Sequence, residues 1–203
     1  GGIAGLYIGS ANRYFIRAAG SLEEVGLFEL AAKFGAIVTL LVWTPFAQYW
    51  SVARFEIFKQ EDAIIIYQTV FRFICLLMVL AALGISIFSE PVIYIMASSE
   101  FLDAKLAVPF LAYAAVFGCL TIFFNFSFLI KESTKWISLI SYLTAAIVSV
   151  FYFFLIPKIG FVGAAQSLML ACMAQFFITF FIGKKHYDMQ ISLYPLFFLL
   201  IIS

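Results

Sequence analysis

Apolar runs close to the roughly 20 residues that carry a helix across the hydrocarbon core of a bilayer recur along the whole chain. They are apolar on all sides. A membrane β-barrel would instead alternate apolar and polar residues over ~10-residue segments. Charged residues make up only 11% of the sequence and hydrophobic ones 65%; an ordinary globular domain carries about 25% charge. The formal net charge is +1, which gives nucleic acid nothing to bind. The expected fold class is therefore all-α: a polytopic helical membrane protein whose first partner is the lipid bilayer.

The runs and their interruptions predict six transmembrane helices over about 1–20, 22–50, 63–88, 104–130, 136–156 and 161–183. Residues 1–183 then form one bundle, and residues 184–203 a loop and the truncated start of a further helix. Gly1, Gly5 and Gly9 form a small-residue stripe, as do Gly163, Ser167 and Ala171; such stripes let helix backbones approach closely in lipid. Gly20 reads as a helix stop. Ser21-Leu22-Glu23-Glu24 matches a capping box, with Glu24 reaching back to the N-cap. Pro45 should kink the second helix. Ser89-Glu90-Pro91 should interrupt the third, leaving a short apolar piece over 92–97. Pro157-Lys158-Ile159-Gly160 reads as a tight turn between two antiparallel helices. Both ends of the sequence fall inside apolar stretches without a signal-peptide pattern, so a fragment of a longer chain is expected.

Loop charge gives an orientation. The even connections hold Arg54, Lys59, Lys131, Lys135, Lys184 and Lys185. The odd ones hold Arg13, Arg17, Lys105 and Lys158. The positive-inside rule puts the even connections in the cytoplasm, including the 184–188 loop.

Nothing in the sequence carries catalytic chemistry. There is no phosphate-cradling glycine loop. The three cysteines each sit in an apolar run and read as small buried hydrophobes, with no disulfide framework, zinc site or cofactor implied. His186 reads as a helix-end cation. Asn125-Phe126-Ser127 fits a glycosylation sequon but lies in an apolar run and is set aside. The residues that stand out are charges placed within helices: Arg13, Arg17, Glu29, Lys33 and Arg72. Glu29 and Lys33 are spaced for an i,i+4 ion pair. Two readings are open for these groups. They are interfacial side chains that pair or snorkel, or they line a polar path, since intramembrane charges face protein or water.

Several motifs resemble one family. Asn12-Arg13-Tyr14, then Val25-Gly26-Leu27-Phe28 and the long helix after it, is similar to the seventh-to-eighth-helix region of bacterial polysaccharide and O-antigen flippases, within the multidrug/oligosaccharidyl-lipid/polysaccharide exporter superfamily. Phe101-Leu102-Asp103-Ala104 with Val108-Pro109 resembles the segment before that family's tenth helix. Ile156-Pro157-Lys158-Ile159-Gly160 followed by Gly163-Ala164-Ala165 resembles its eleventh-to-twelfth-helix turn. Asn12 stands where the family has Asp, and Phe28 where it has Tyr. The resemblance implies a non-enzymatic exporter of the inner membrane, built from two six-helix lobes around a cavity, of which this is the second. It implies alternating access for an undecaprenyl-pyrophosphate-linked oligosaccharide, with a first bundle as intramolecular partner. A drug or cation antiporter of the same superfamily is the alternative, with a membrane glycan polymerase or ligase behind it. The antiporter would favour acidic cavity residues, whereas Lys33 and Arg72 are basic.

Overall fold

A computed structural model describes residues 2–19, 21–97 and 99–202. Among these the chain is helical and contains no strand. Four helices are long and apolar enough to cross a membrane. We number the elements α1 (Gly2–Ala19), α2 (Leu22–Ile57), α3 (Ala63–Met96), α4 (Val108–Ile130), α5 (Lys135–His186) and α6 (Tyr194–Ile202). A 3₁₀ segment, Ser99–Leu106, joins α3 to α4.

The Ser21 cap forms as the sequence implies, its Oγ accepting the Glu24 N–H at 3.3 Å. Helix α2 then runs well past residue 50, to Ile57. Where a proline kink is expected, the chain widens into a π turn over Thr39–Trp43. Pro45 has no N–H and its ring crowds the carbonyl four residues back. The wider turn moves the bonding out by one residue: the Thr44 N–H reaches the Thr39 carbonyl, which also accepts the Thr44 hydroxyl at 3.0 Å.

Three expected boundaries are corrected. Helix α3 does not stop at Phe88 but continues through Pro91 to Met96. Pro91 is exposed, and buried Ile93 pins the last turns to the core. Helix α4 starts at Val108 rather than 104, because Pro109 takes one of the first two helical positions, where its missing N–H costs nothing. Helix α5 ends at His186, three residues beyond Gly183, with Lys184, Lys185 and His186 in its last turn. Cations suit the carbonyl end of a helix.

Helix α5 is 52 residues long but folds back on itself. Ile159 and Gly160 leave helical geometry, Gly160 at φ +58°, ψ −140°. The two limbs, residues 135–158 and 161–186, end side by side: the Trp136 and His186 rings lie 5.9 Å apart. Gly163, Ser167 and Ala171 are buried along the second limb. Of the other stripe, Gly1 lies outside the described residues, as does Gly20, and Gly5 has open space where a Cβ would stand.

An L-residue at Gly160 would be strained by its backbone and would meet the Glu24 carboxylate, whose oxygens lie 2.9 Å from the added Cβ. Backbone strain of this kind costs on the order of 1–3 kcal/mol. Gly160→Ala should therefore lower the thermal midpoint of the purified protein by several degrees, and an unchanged midpoint would contradict this turn.

Two cores form. One joins α1, the first half of α2, the start of α4 and the reversal in α5, around Ile16, Phe28, Ala31, Val108 and Tyr152. The other is aromatic and joins the second half of α2 to α3, α4, the end of α5 and α6. There Trp50 stacks on Phe123 at 5.1 Å and meets Tyr67 edge-on at 5.9 Å. Lipid tails are as apolar as leucine, so between membrane helices such shape-matched contacts carry association where water exclusion does not. Cys75 and Cys119 are buried and Cys172 partly so, all three free.

Candidate functional site

The charges collect at two ends. At one end, the start of α2, the 3₁₀ segment and the reversal of α5 meet. Phe101 packs 3.5 Å from where a Cβ on Gly26 would stand, and the Glu24 carboxylate lies against Gly160. The second half of the expected capping box is thus replaced: among the described residues the Glu24 carboxylate accepts no hydrogen bond from the Ser21 N–H, and its Oε2 is buried. Lys105 of the 3₁₀ segment pairs with Glu90 of α3.

Beside this junction, Arg13 of α1 clamps Glu29 of α2. Its Nε donates to Oε1 at 2.6 Å and its Nη2 to Oε2 at 3.0 Å. The flat guanidinium fork matches a carboxylate two bonds at a time. This corrects the expected i,i+4 pair: Glu29 is taken by Arg13, and Lys33 has no polar partner among the described residues. Asn12 is buried and its Oδ1 accepts the Arg13 backbone N–H at 2.7 Å, so it shapes the helix backbone beside the pair.

Of the five charges singled out, the structure brings together Arg13 and Glu29 alone. Arg17 is exposed in the last turn of α1. Lys33 lines a separate groove with Leu30, Phe34, Val92, Ile93 and Met96. Arg72 is exposed on α3, nine residues from its start and so about 13 Å along. Neither Arg17 nor Arg72 has a polar partner among the described residues.

A cavity of about 450 Å³ lies between α1, α2, α4 and both limbs of α5. Its polar lining is uncharged: Thr39 in the π turn, Thr121, Asn125, Ser141 and Gln175. Gly5 and Gly118 supply bare backbone there. The sequence does hold a signal for this site, namely lone amides and hydroxyls inside apolar runs. Charge draws the eye away from them.

Comparison with protein-family models, curated proteins and solved structures yields no match. The candidate site therefore rests on geometry and on the sequence motifs alone.

The other end is aromatic. Arg54, which reads as a solvated connector residue, is half-buried. Its guanidinium carbon lies 5.2 Å from the Phe55 ring centre and 5.3 Å from that of Phe126. The Tyr67 hydroxyl donates to its carbonyl at 2.7 Å. Tyr187, just past α5, packs edge-on against Phe58 and Tyr67. Burial raises its pKa above the ordinary phenol value, which keeps the hydroxyl protonated. Ser127 of the set-aside sequon is buried and donates to the Tyr187 carbonyl at 3.1 Å. His186 lies against the Phe128 ring at 5.2 Å, at the end of α5.

Proposed function

We propose that the chain is part of an exporter that flips a diphosphate-linked oligosaccharide lipid across the inner membrane by alternating access. In this reading the described helices make six crossings and form the second of two facing lobes, α6 begins the next crossing, and no covalent chemistry is performed. One observation carries the reading. The motifs that resemble the flippase family are spread over about 150 residues of sequence, and residues within or next to them meet at one end of the fold: Gly26 against Phe101, Glu24 against Gly160, Arg13 on Glu29.

The physical logic is that a diphosphate in a weakly hydrated path needs cationic partners. Arg13, Arg17 and Arg72 are cations on helices that could face such a path, and Glu29 holds Arg13 in place. The described lining of the cavity holds neither carboxylate nor cation, so the preference over the antiporter reading rests on the motifs. Among the described residues the helices are joined only by short connections, which gives the polymerase or ligase reading no support here.

The test is transport with orientation. A longer chain containing these residues should restore surface glycan to a flippase-null strain, while these 203 residues alone should not, since one lobe supplies one wall. In intact cells, cysteines placed at Lys59 and Lys135 should resist an impermeant thiol reagent and one at Lys158 should react. Restoration by the single lobe would sink the two-lobe reading, and reversed labelling would invert the topology.

A further inference from the structure

The groove around Lys33 asks for an occupant of defined chemistry. Its walls are Leu30, Phe34 and neighbours on α2 and Val92, Ile93 and Met96 on α3, and it encloses about 320 Å³. That falls within the ~300–1,000 Å³ of small-molecule sites. Among the described residues, Lys33 is its one charged lining residue. The two carboxylates nearest along these helices are already matched, Glu29 by Arg13 and Glu90 by Lys105. Lys33 therefore leaves the groove one positive charge in excess.

Depth narrows the choice. Met96 and Ala97, which close the groove, are the last residue of α3 and its C-cap. The polar 3₁₀ segment with Glu100, Asp103 and Lys105 follows at once. Lys33 thus stands level with the end of α3 beside a polar segment, and in our proposal headgroups lie at this level, with the apolar walls below them. Helix α2 starts 11 residues before Lys33, about 16 Å further out. An ammonium at headgroup level above an apolar slot matches a phosphate with acyl chain attached.

We propose that this groove is a binding site for an anionic phospholipid, its phosphate on Lys33 and one acyl chain between α2 and α3. The site so proposed does not depend on the exporter reading. Its occupant would tie the outer part of α2 to α3.

Native mass spectrometry of the purified protein in detergent, titrated with phosphatidylglycerol or phosphatidylethanolamine, tests this. Wild type should retain phosphatidylglycerol in preference to phosphatidylethanolamine. Lys33→Gln should lower phosphatidylglycerol retention roughly two- to fivefold, the size expected of a partly exposed charge pair. Val92→Trp, which fills the slot and leaves the charge, should lower it as well. Lys59→Gln, at the far end, should not. Equal retention by wild type and Lys33→Gln would overturn the site, as would equal retention of the two lipids. Displacement by an equimolar polyprenyl diphosphate would overturn the phospholipid assignment and give the groove to the transported lipid instead.

Discussion

Gly35→Leu is expected to leave little folded protein. Gly35 is buried on α2, and a Cβ there would stand 2.9 Å from the backbone carbon of Leu111 and 3.0 Å from its oxygen. Those atoms belong to the backbone of α4, so no side-chain rotation relieves the clash, and the two spans must separate. Overpacking a tight core costs about 1–3 kcal/mol and occasionally more, against a total stability on the order of 5–15 kcal/mol. A leucine adds three more carbons to that first clash. Size-exclusion profiles and thermal midpoints in detergent should show loss of the monodisperse protein. Gly84→Ala and Gly118→Ala are the controls, because nothing lies within 4 Å of either added Cβ. Alanine should even favour these helices slightly. If Gly35→Leu behaves like the controls, α2 and α4 do not approach as described.

Neutralising Arg13 and Arg72 together, in the longer chain, should cut glycan export roughly ten- to hundredfold while expression stays near normal. That is the size of losing a charge-assisted phosphate contact. The Arg13–Glu29 pair is no obstacle to the test. Its side chains are 59% and 34% exposed, and exposed ion pairs contribute little to stability. Arg13→Gln should therefore spare the fold, so that export reports on function. A charge swap, Arg13→Glu with Glu29→Arg, separates the roles. It keeps an ion pair but moves the cation to α2. Full export in the swapped protein would mean that the pair is only structural and that Arg13 does not meet phosphate.

Much of the fold was legible because lipid permits so few backbones. Unbroken apolar runs forced helices, and Ser21, Pro157 and Gly160 marked turns whose chemistry is local. The errors also have physical causes. Ser89-Glu90-Pro91 reads as a breaker, yet the helix runs on through Pro91, its last turns anchored by buried Ile93. Pro45 was visible as a disturbance of the helix, but not that its lost bond would be met by a π turn over Thr39–Trp43. At the site, Glu29 had two cations within reach. The sequence offers Lys33 one turn away, whereas Arg13 comes close only once α1 packs on α2, a tertiary event that spacing does not encode. The uncharged cavity was legible only as scattered polar residues, for a related reason. A hydroxyl in an apolar run can bond its own helix, as Thr121 does to the Phe117 carbonyl, and only packing shows which ones share a space.

The π turn in α2 bears on how one helix can serve two masters. Before it, the buried residues are Leu27, Phe28, Ala31, Gly35 and Val38; at its end and beyond, Trp43, Trp50 and Ala53. The step from Val38 to Trp43 is one residue longer than the helical repeat allows. At 3.6 residues per turn, one surplus residue rotates everything beyond it by about 100°. The stripe is re-phased at the seam between the two cores, with Phe28 and Ala31 committed to one and Trp43 and Trp50 to the other. Read as a single periodic helix, α2 would look out of step with itself; read as two helices in different phase on one continuous rod, each half is in register with its own partners.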